Sequence, residues 1–339
     1  MTAEMLDAVP DLLAQRIAAL REYKGSLLLT HGPAEAPEGV LLALRRPTGA
    51  LFRVVAFQVQ PGPRRQAVAA SLAEQLLAAA RREEVFLLRA AAADAALLDA
   101  DLLPLLGLPP LALPYTETWL GNVSASPRQH VPLYRQTTRF TCGPASLLMS
   151  FGVLGQPCSE RREEIALWRE ASSIAGLTGP GGCDPFGLAL AAQARGYAPR
   201  VLTSTSRAML LERVDTDEKR ELIEFVQTDF RLRTEEARIP IEQRDFTVAE
   251  LAAPVAAGGV ALLLIDQFLT HGRHTPHWIV LHHHQDDWFL VNDPWTEPGR
   301  MEGPADAEHL PIRTATLEDM AWFGEPAYRA AVILPIQPG

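Results

Sequence analysis

The sequence has few cysteines and no long apolar run, and both absences narrow the class of protein. Its three cysteines, Cys142, Cys158 and Cys183, are an odd and sparse set, unlike the disulfide framework of a secreted domain. The apolar stretches fall short of the roughly 18 residues that a membrane-spanning helix needs. The N-terminus is acidic where a signal peptide would be basic. We therefore expect a cytoplasmic protein, in a reducing compartment, and we expect no membrane partner.

Basic residues are also in deficit. The chain has 31 Lys and Arg against 41 Asp and Glu, so its net charge is −10. A nucleic-acid-binding protein usually carries a basic stripe, and no dense run of Lys and Arg occurs here. The composition is 47% hydrophobic and 21% charged, which is normal for a chain with a buried core. The length of 339 residues favours two domains and the charge disfavours nucleic acid as a partner.

The pattern of the chain changes near residue 124. The first part is rich in Ala and Leu, and its periodicity predicts helices at 3–23 and 64–82 and strands at 26–30, 40–44, 51–59 and 84–89. The polar segment Ser124–His130 marks the boundary between a domain of residues 1–123 and one of residues 124–339. In the second domain helices are predicted at 144–151, 159–172 and 185–195 and after a capping box at Thr247, then strands at 260–268, 277–284 and 288–292. The charged residues 215–237 form either a helix or a mobile excursion. Helices followed by strands are typical of an α+β fold.

The window around Cys142 holds the strongest candidate for chemistry. Cys142 stands two residues before Pro144, and proline favours the first turn of a helix. A thiol at a helix N-terminus faces the positive end of the helix dipole, which stabilises the nucleophilic thiolate. The N–H groups there can also stabilise an oxyanion, and the Gln136 amide is a candidate for a second donor. Because most free cysteines are small buried residues, Cys142 needs a partner from elsewhere in the chain.

A second window, from His277 to Asp293, predicts two antiparallel strands joined by a tight turn at 285–287. In one register of that hairpin Asp293 lies on the face of His277, where it can orient the imidazole as a base for Cys142. In the other register Asn292 takes that position, and an Asn can orient the ring as well. The strand register decides between Asp293 and Asn292, and the sequence leaves it open.

Together these residues resemble the C39 family of papain-like cysteine peptidases, and in particular the stand-alone C39-like branch found in bacteria. The matching motifs are Gln136, Cys142-Gly-Pro-Ala, His277-Trp-Ile-Val and Asn292-Asp293-Pro, within about residues 130–300. The resemblance implies an α+β papain-like domain with Cys on its first long helix and His and Asp on the following sheet. It implies a cysteine peptidase with the triad Cys142, His277 and Asp293, Gln136 at the oxyanion site, and a peptide or protein substrate. Membrane-coupled relatives that cut after a double glycine carry transporter segments that this sequence lacks, so their substrate rule does not transfer.

The N-terminal part, about residues 5–120, resembles the acetyl-CoA core of GNAT acetyltransferases. The resemblance rests on a strand, the loop Pro-Gly-Pro-Arg64-Arg65-Gln66 and a long helix. That family holds the cofactor pyrophosphate on glycine-rich backbone N–H groups at the helix start. Ala67 and Ala69 stand at the matching positions, and their methyl groups would crowd the phosphates. The resemblance thus implies a smaller α/β domain that has lost acetyl transfer, and the alternative is a plain α/β domain through which a partner docks.

Two alternatives to hydrolysis remain at this point. The same thioacyl intermediate can be passed to an amine, which would make the protein a peptide ligase, cyclase or transamidase. A papain-like domain can also bind peptides without turning them over. We expect no cofactor and no metal, because neighbouring histidines such as His282 and His283 face opposite sides of a strand and no cysteine pair has zinc spacing.

Overall fold

The computed structural model describes residues 11–20, 25–33, 36–121, 131–156, 160–172, 181–212, 214 and 216–336. Its contacts divide the chain into two units: Met1–Ser126 with Glu297–Asp306, and Pro127–Thr296 with Ala307–Gly339. The segment Ser124–His130, on which the predicted boundary rests, and Cys158 lie outside the described residues. The sequence did not predict that Glu297–Asp306 belongs with the N-terminal unit.

The N-terminal unit is a five-stranded sheet with helices. Its elements are α1 (Asp11–Ala19), β1 (Ser26–His31), β2 (Gly39–Leu44), β3 (Leu51–Val59), α2 (Arg65–Arg82), β4 (Leu87–Ala91) and β5 (Tyr115–Trp119). The strand order is β1-β2-β3-β4-β5, and only the β3–β4 pair among these strands is parallel. A parallel pair needs a crossover connection, and α2 supplies it.

Both faces of this sheet are covered, which explains why β2 is apolar at every position. Leu41 and Ala43 face the core that contains α2, whereas Val40, Leu42 and Leu44 face the core that contains α1. Successive side chains of a strand point to opposite faces, so a strand covered on both sides loses the alternation of polar and apolar residues.

The C-terminal unit contains a seven-stranded sheet. The elements are α3 (Cys142–Val153), α4 (Arg161–Ala171), α5 (Pro185–Gln193), β6 (Arg200–Thr203), α6 (Asp217–Glu236), β7 (Ile241–Gln243), α7 (Ala252–Ala256), β8 (Val260–Asp266), α8 (Phe268–His271), β9 (Pro276–Gln285), β10 (Trp288–Asn292), β11 (Leu310–Arg313), α9 (Thr314–Met320) and β12 (Ala330–Leu334). The strand order is β11-β10-β9-β8-β12-β6-β7, and the β6–β7 pair is parallel. The predicted α+β class is confirmed, although β6 and β7 come earlier in the chain than a simple order of helices before strands predicts.

Several predicted boundaries shift in the structure. The strand predicted at 84–89 begins only at Leu87, because Glu84 has φ +54° in the turn after α2. The strand predicted at 260–268 ends at Asp266, and Phe268 opens the short helix α8. The capping box at Thr247 is present, but it opens a 3-10 turn, Val248–Leu251, that leads into α7.

Helix α3 is buried on nearly every side and packs on β9 and β8. The Ser146 hydroxyl donates to the carbonyl of Trp278 on β9 over 3.1 Å, and the Trp278 indole donates to the carbonyl of Cys183 over 3.1 Å. These bonds tie α3, β9 and the start of α5 together inside one core. In the described parts of the chain, every helix is too short or too polar to cross a membrane.

Candidate active site

Cys142 is the first residue of α3 and is 8% exposed. The next residue must be small: a Cβ on Gly143 would lie 3.0 Å from Cβ of Cys183 and 3.1 Å from a methyl group of Leu188. Pro144 occupies the first turn, where its missing N–H costs no helical hydrogen bond. The sequence therefore places a thiol beside the unpaired N–H groups of a helix start that is packed tightly against α5.

A buried carboxylate on α4 holds the segment that leads into Cys142. Glu164 is fully buried and accepts hydrogen bonds from the Thr137 amide (2.8 Å), the Tyr134 hydroxyl (3.0 Å) and the hydroxyl of Thr141. Sequence reasoning missed Glu164. The signal was a carboxylate in the apolar stripe of a predicted amphipathic helix, one turn before the buried Leu167.

The β9–β10 hairpin contains a change of register. Next to the turn Trp288 pairs with Gln285 and Leu290 with His283, whereas beyond it Val291 pairs with Leu281. The shift lies between Leu290 and Val291 and leaves one extra residue on β9, as in a β-bulge. Both registers considered from the sequence therefore occur, one on each side of the bulge.

His277 and Asp293 meet beyond this bulge. Nε2 of His277 lies 2.7 Å from Oδ1 of Asp293, and both side chains are buried. The amide of Trp295 donates to the same carboxylate oxygen over 2.8 Å. The thiol of Cys142 lies close enough to the His277 ring to raise its pKa. Since Nε2 faces Asp293, the Nδ1 side of the ring is the one left for Cys142.

The surroundings of His277 favour its charged form. Burial lowers its pKa, but the charge and hydrogen bond of Asp293, with a smaller contribution from Cys142, raise the pKa of His277 to about 9. An imidazolium next to a thiol and a carboxylate is poised to donate a proton at neutral pH.

Asn292 points elsewhere. Its fully buried amide donates to the Val131 carbonyl over 2.9 Å and accepts from the His309 amide over 2.8 Å. These bonds connect β10 with the segments before α3 and β11. Of the two residues that the sequence left open, Asp293 is the one that contacts His277.

Gln136 is brought to the same neighbourhood by its main chain. Its amide donates to the carbonyl of Pro294 over 3.0 Å, so it lies beside the Asp293 loop. Its side-chain Nε2 donates to the carbonyl of Thr138 over 2.7 Å. One of the two amide hydrogens is used in that bond, which leaves the second for another acceptor.

Cys183 and Asp184 are buried beside Cys142. Burial, followed by the nearby Cys142 and Asp184, raises the pKa of the Cys183 thiol well above its usual value, which leaves that thiol protonated. Asp184 caps α5 by accepting from the amides of Phe186 and Gly187. Burial raises the pKa of Asp184 to about 7, against these two hydrogen bonds. Of the two neighbouring thiols, Cys142 is the one with an imidazole partner.

In the part of the chain that the structure describes, no three His, Cys, Asp or Glu side chains are grouped as a metal site would require.

The start of α2 in the N-terminal unit is poorly suited to a pyrophosphate. Arg65 pairs with Asp99 over 3.0 Å and also with Asp101, so acidic groups surround the arginine at the helix start. Ala69 is buried in the core and Ala67 is exposed. These residues do not fit acetyl-CoA, and the GNAT-like character of this unit stays a prediction.

A family model described as the Peptidase_C39 like family matches residues 131–335, more than half of the chain. The chain therefore belongs to the Peptidase_C39-like family, as the sequence motifs predicted. No curated protein is similar enough in sequence to count as a relative.

Two solved structures resemble the chain. The peptidase domain of ComA from Streptococcus, a bifunctional ABC transporter involved in quorum sensing, is 16% identical with a TM-score of 0.32, covering 61% of this chain and 100% of that domain. A protein described as a C39-like peptidase from Bacillus anthracis is 11% identical with a TM-score of 0.34, covering 62% of this chain and 96% of the other.

Proposed function

We propose that this protein is a cysteine peptidase that cleaves an amide bond in a peptide or protein substrate. The observation that carries the proposal is the chain of contacts from Cys142 to His277 and from His277 to Asp293, at the start of a buried helix. This is the arrangement of an activated nucleophile, in which an oriented base or acid lies within reach of a thiol.

The proposed reaction follows from the charge on His277. The Cys142 sulfur attacks the carbonyl carbon, and the backbone N–H of Cys142 and the second hydrogen of the Gln136 amide stabilise the oxyanion. His277 gives its proton to the leaving amine as the C–N bond breaks, which leaves a thioester on Cys142. Neutral His277 then takes a proton from water, whose oxygen attacks the thioester, and the C–S bond breaks to restore the thiolate. Asp293 keeps the ring oriented throughout.

The first test is intact-mass labelling with iodoacetamide between pH 5 and 8. We expect one fast label on wild type, none of the fast phase on Cys142→Ala, and loss of the low-pH reactivity on His277→Ala. Cys183→Ala is the matched control and is expected to keep the fast label, since Cys183 is also buried but has a raised thiol pKa. Slow labelling of wild type, at the rate of an ordinary thiol, would contradict the proposal.

A peptide library with mass-spectrometric readout then identifies the substrate. Product masses that correspond to addition of water support hydrolysis, whereas masses that correspond to addition of an amine assign the same thioester chemistry to acyl transfer. Tight peptide binding that persists in Cys142→Ala, without turnover in wild type, contradicts both.

A further inference from the structure

Three buried arginines of the N-terminal unit hold a segment that begins four residues after Asp293. We call this segment, Glu297–Asp306, the strap. Arg53 donates to the Met301 carbonyl over 2.8 Å and forms an ion pair with the Asp306 carboxylate at 3.2 Å. Two more bonds hold the end of the strap: Arg46 donates to the Asp306 carbonyl (3.1 Å) and Arg89 to the Ala305 carbonyl (3.0 Å). None of the three arginines is more than 4% exposed.

Hydrogen bonds within the strap also hold its conformation. Asp306 accepts from the Gly303 amide over 2.8 Å, and the carboxylate of Glu302 accepts from the Glu297 amide over 2.9 Å. Burying guanidinium groups is costly unless each charge is matched by a well-placed partner. Asp306 on the strap is such a partner for Arg53, together with Asp94 of the N-terminal unit at 3.5 Å.

Both ends of the strap continue into bonds with Asp293. At one end, Trp295 donates its amide to the Asp293 carboxylate over 2.8 Å. At the other, Ala307, which follows the strap directly, accepts from the Asp293 amide over 2.9 Å. The main chain and the side chain of Asp293 are thus each held by a residue within two positions of the strap.

We propose that Arg53 is a positioning residue for Asp293 and acts through the strap. This inference rests on the proposed function, because the group that is positioned belongs to the same triad. The 2.7 Å bond from Asp293 to His277 is sensitive to small displacements, and a misplacement of about 1 Å can cost a hundredfold in rate. The strap restricts Asp293 from both sides, and Arg53 holds the middle and the end of the strap.

The test compares Arg53→Met and Asp306→Asn with a control, Arg65→Met. Arg65 belongs to the same unit and pairs with Asp99 and Asp101 rather than with the strap. The two strap variants remove charges of opposite sign. A direct electrostatic effect would therefore shift the pKa of His277 in opposite directions in the two variants. Loss of positioning would shift that pKa in the same direction in both.

Two quantities are measured in each variant. The first is hydrogen exchange of the Asp293 amide by mass spectrometry, which we expect to speed up about tenfold in both strap variants because its partner Ala307 is released. The second is the pH profile of Cys142 labelling by iodoacetamide. The titratable groups around that reaction are His277, Asp293, Cys183 and Asp184, and Asp184 is unchanged in every variant compared. We expect the midpoint of the profile to rise by about one pH unit in both strap variants, with an unchanged high-pH rate.

The inference would be overturned if both strap variants, with native circular dichroism, kept the wild-type exchange rate of the Asp293 amide and the wild-type midpoint of the labelling profile. If Arg53→Met does not fold, Asp306→Asn decides alone, since it preserves the shape of the side chain. A wild type that labels slowly at every pH contradicts the proposed function. The exchange measurement then still decides whether the strap restrains Asp293, because it needs no activity.

Discussion

His277 and Asp293 lie 2.7 Å apart because the hairpin that carries them changes register between Leu290 and Val291. Next to the turn the pairing follows one register, and a single extra residue on β9 converts it to the other before the strands reach His277. Without that residue Asn292 would come to the face of the imidazole. The β-bulge thus selects an acidic partner for the histidine.

Replacing Asp293 by Asn tests that partnership. Asn keeps the shape but loses the charge that opposes the burial of His277, so we expect the pKa of His277 to fall from about 9 toward its usual value. Carbon-detected NMR of the imidazole measures the change. Asp287→Asn is the control, because Asp287 lies in the exposed turn of the same hairpin and pairs with Arg313. An unchanged His277 titration in Asp293→Asn would contradict the assignment.

Replacing Gln136 by Ala separates oxyanion stabilisation from thiol activation. With p-nitrophenyl acetate as the probe, we expect acylation of Cys142 to slow by about 10²–10³, the usual cost of one lost oxyanion donor. Alkylation by iodoacetamide forms no oxyanion and is expected to keep its rate. Acylation as fast as in wild type would remove Gln136 from the proposed mechanism, and equal slowing of both reactions would assign it a structural role.

Replacing Glu164 by Gln is expected to destabilise the protein by about 2–3 kcal/mol. The NH2 group of the new amide is a donor, so it cannot accept the hydrogen bonds that a carboxylate oxygen accepts. Urea unfolding followed by fluorescence measures the loss. The adjacent Glu163→Gln is the matched control: Glu163 is one-third exposed and pairs with Arg195, so its loss is expected to cost about 1 kcal/mol or less. Equal losses in the two variants would contradict the role given to Glu164.

Replacing Asp184 by Asn is expected to change how stability depends on pH. Burial raises the folded-state pKa of Asp184 to about 7, above its unfolded value. The contribution of the protonated acid to stability is therefore present below about pH 4 and is lost as the pH rises through 7. Asn remains neutral, so the variant is expected to exceed wild type by about 1–3 kcal/mol at pH 8 and to match it near pH 4.

Urea unfolding at pH 4, 6 and 8 tests this difference. Asp229→Asn is the control, since Asp229 is exposed on α6 and pairs with Arg233 over 3.5 Å within one helical turn. A difference between Asp184→Asn and wild type that stays constant from pH 4 to 8 would show that folding does not raise the pKa of Asp184.

The sequence predicted the elements of the candidate site better than their connections. Apolar runs located β9 and β10, and the proline after Cys142 located the start of α3. The register could not be predicted, because period-two alternation looks the same on both sides of a bulge. Glu164 was missed for another reason: its place in the apolar stripe was a usable signal, but a carboxylate in an amphipathic helix usually faces water.

Short buried strands were the main omission in the fold. β12 lies between β8 and β6 in the sheet, yet it was not predicted from the sequence. Its five residues are all apolar and fully buried, so they show no alternation, and a short apolar run does not distinguish a strand from a buried helix. The three-residue β7 is shorter still. Both depend on pairing partners that are distant in the chain.

The strap makes the N-terminal unit discontinuous in the chain, and this affects the order in which the protein matures during synthesis. When residue 126 leaves the ribosome, Arg53 has no Asp306 to pair with and Arg89 has no Ala305 carbonyl. Residues 127–296 must be translated before those partners emerge. A gene truncated at the predicted boundary would therefore yield an N-terminal product in which Arg53 and Arg89 lack their strap partners and keep Asp94 and Glu117.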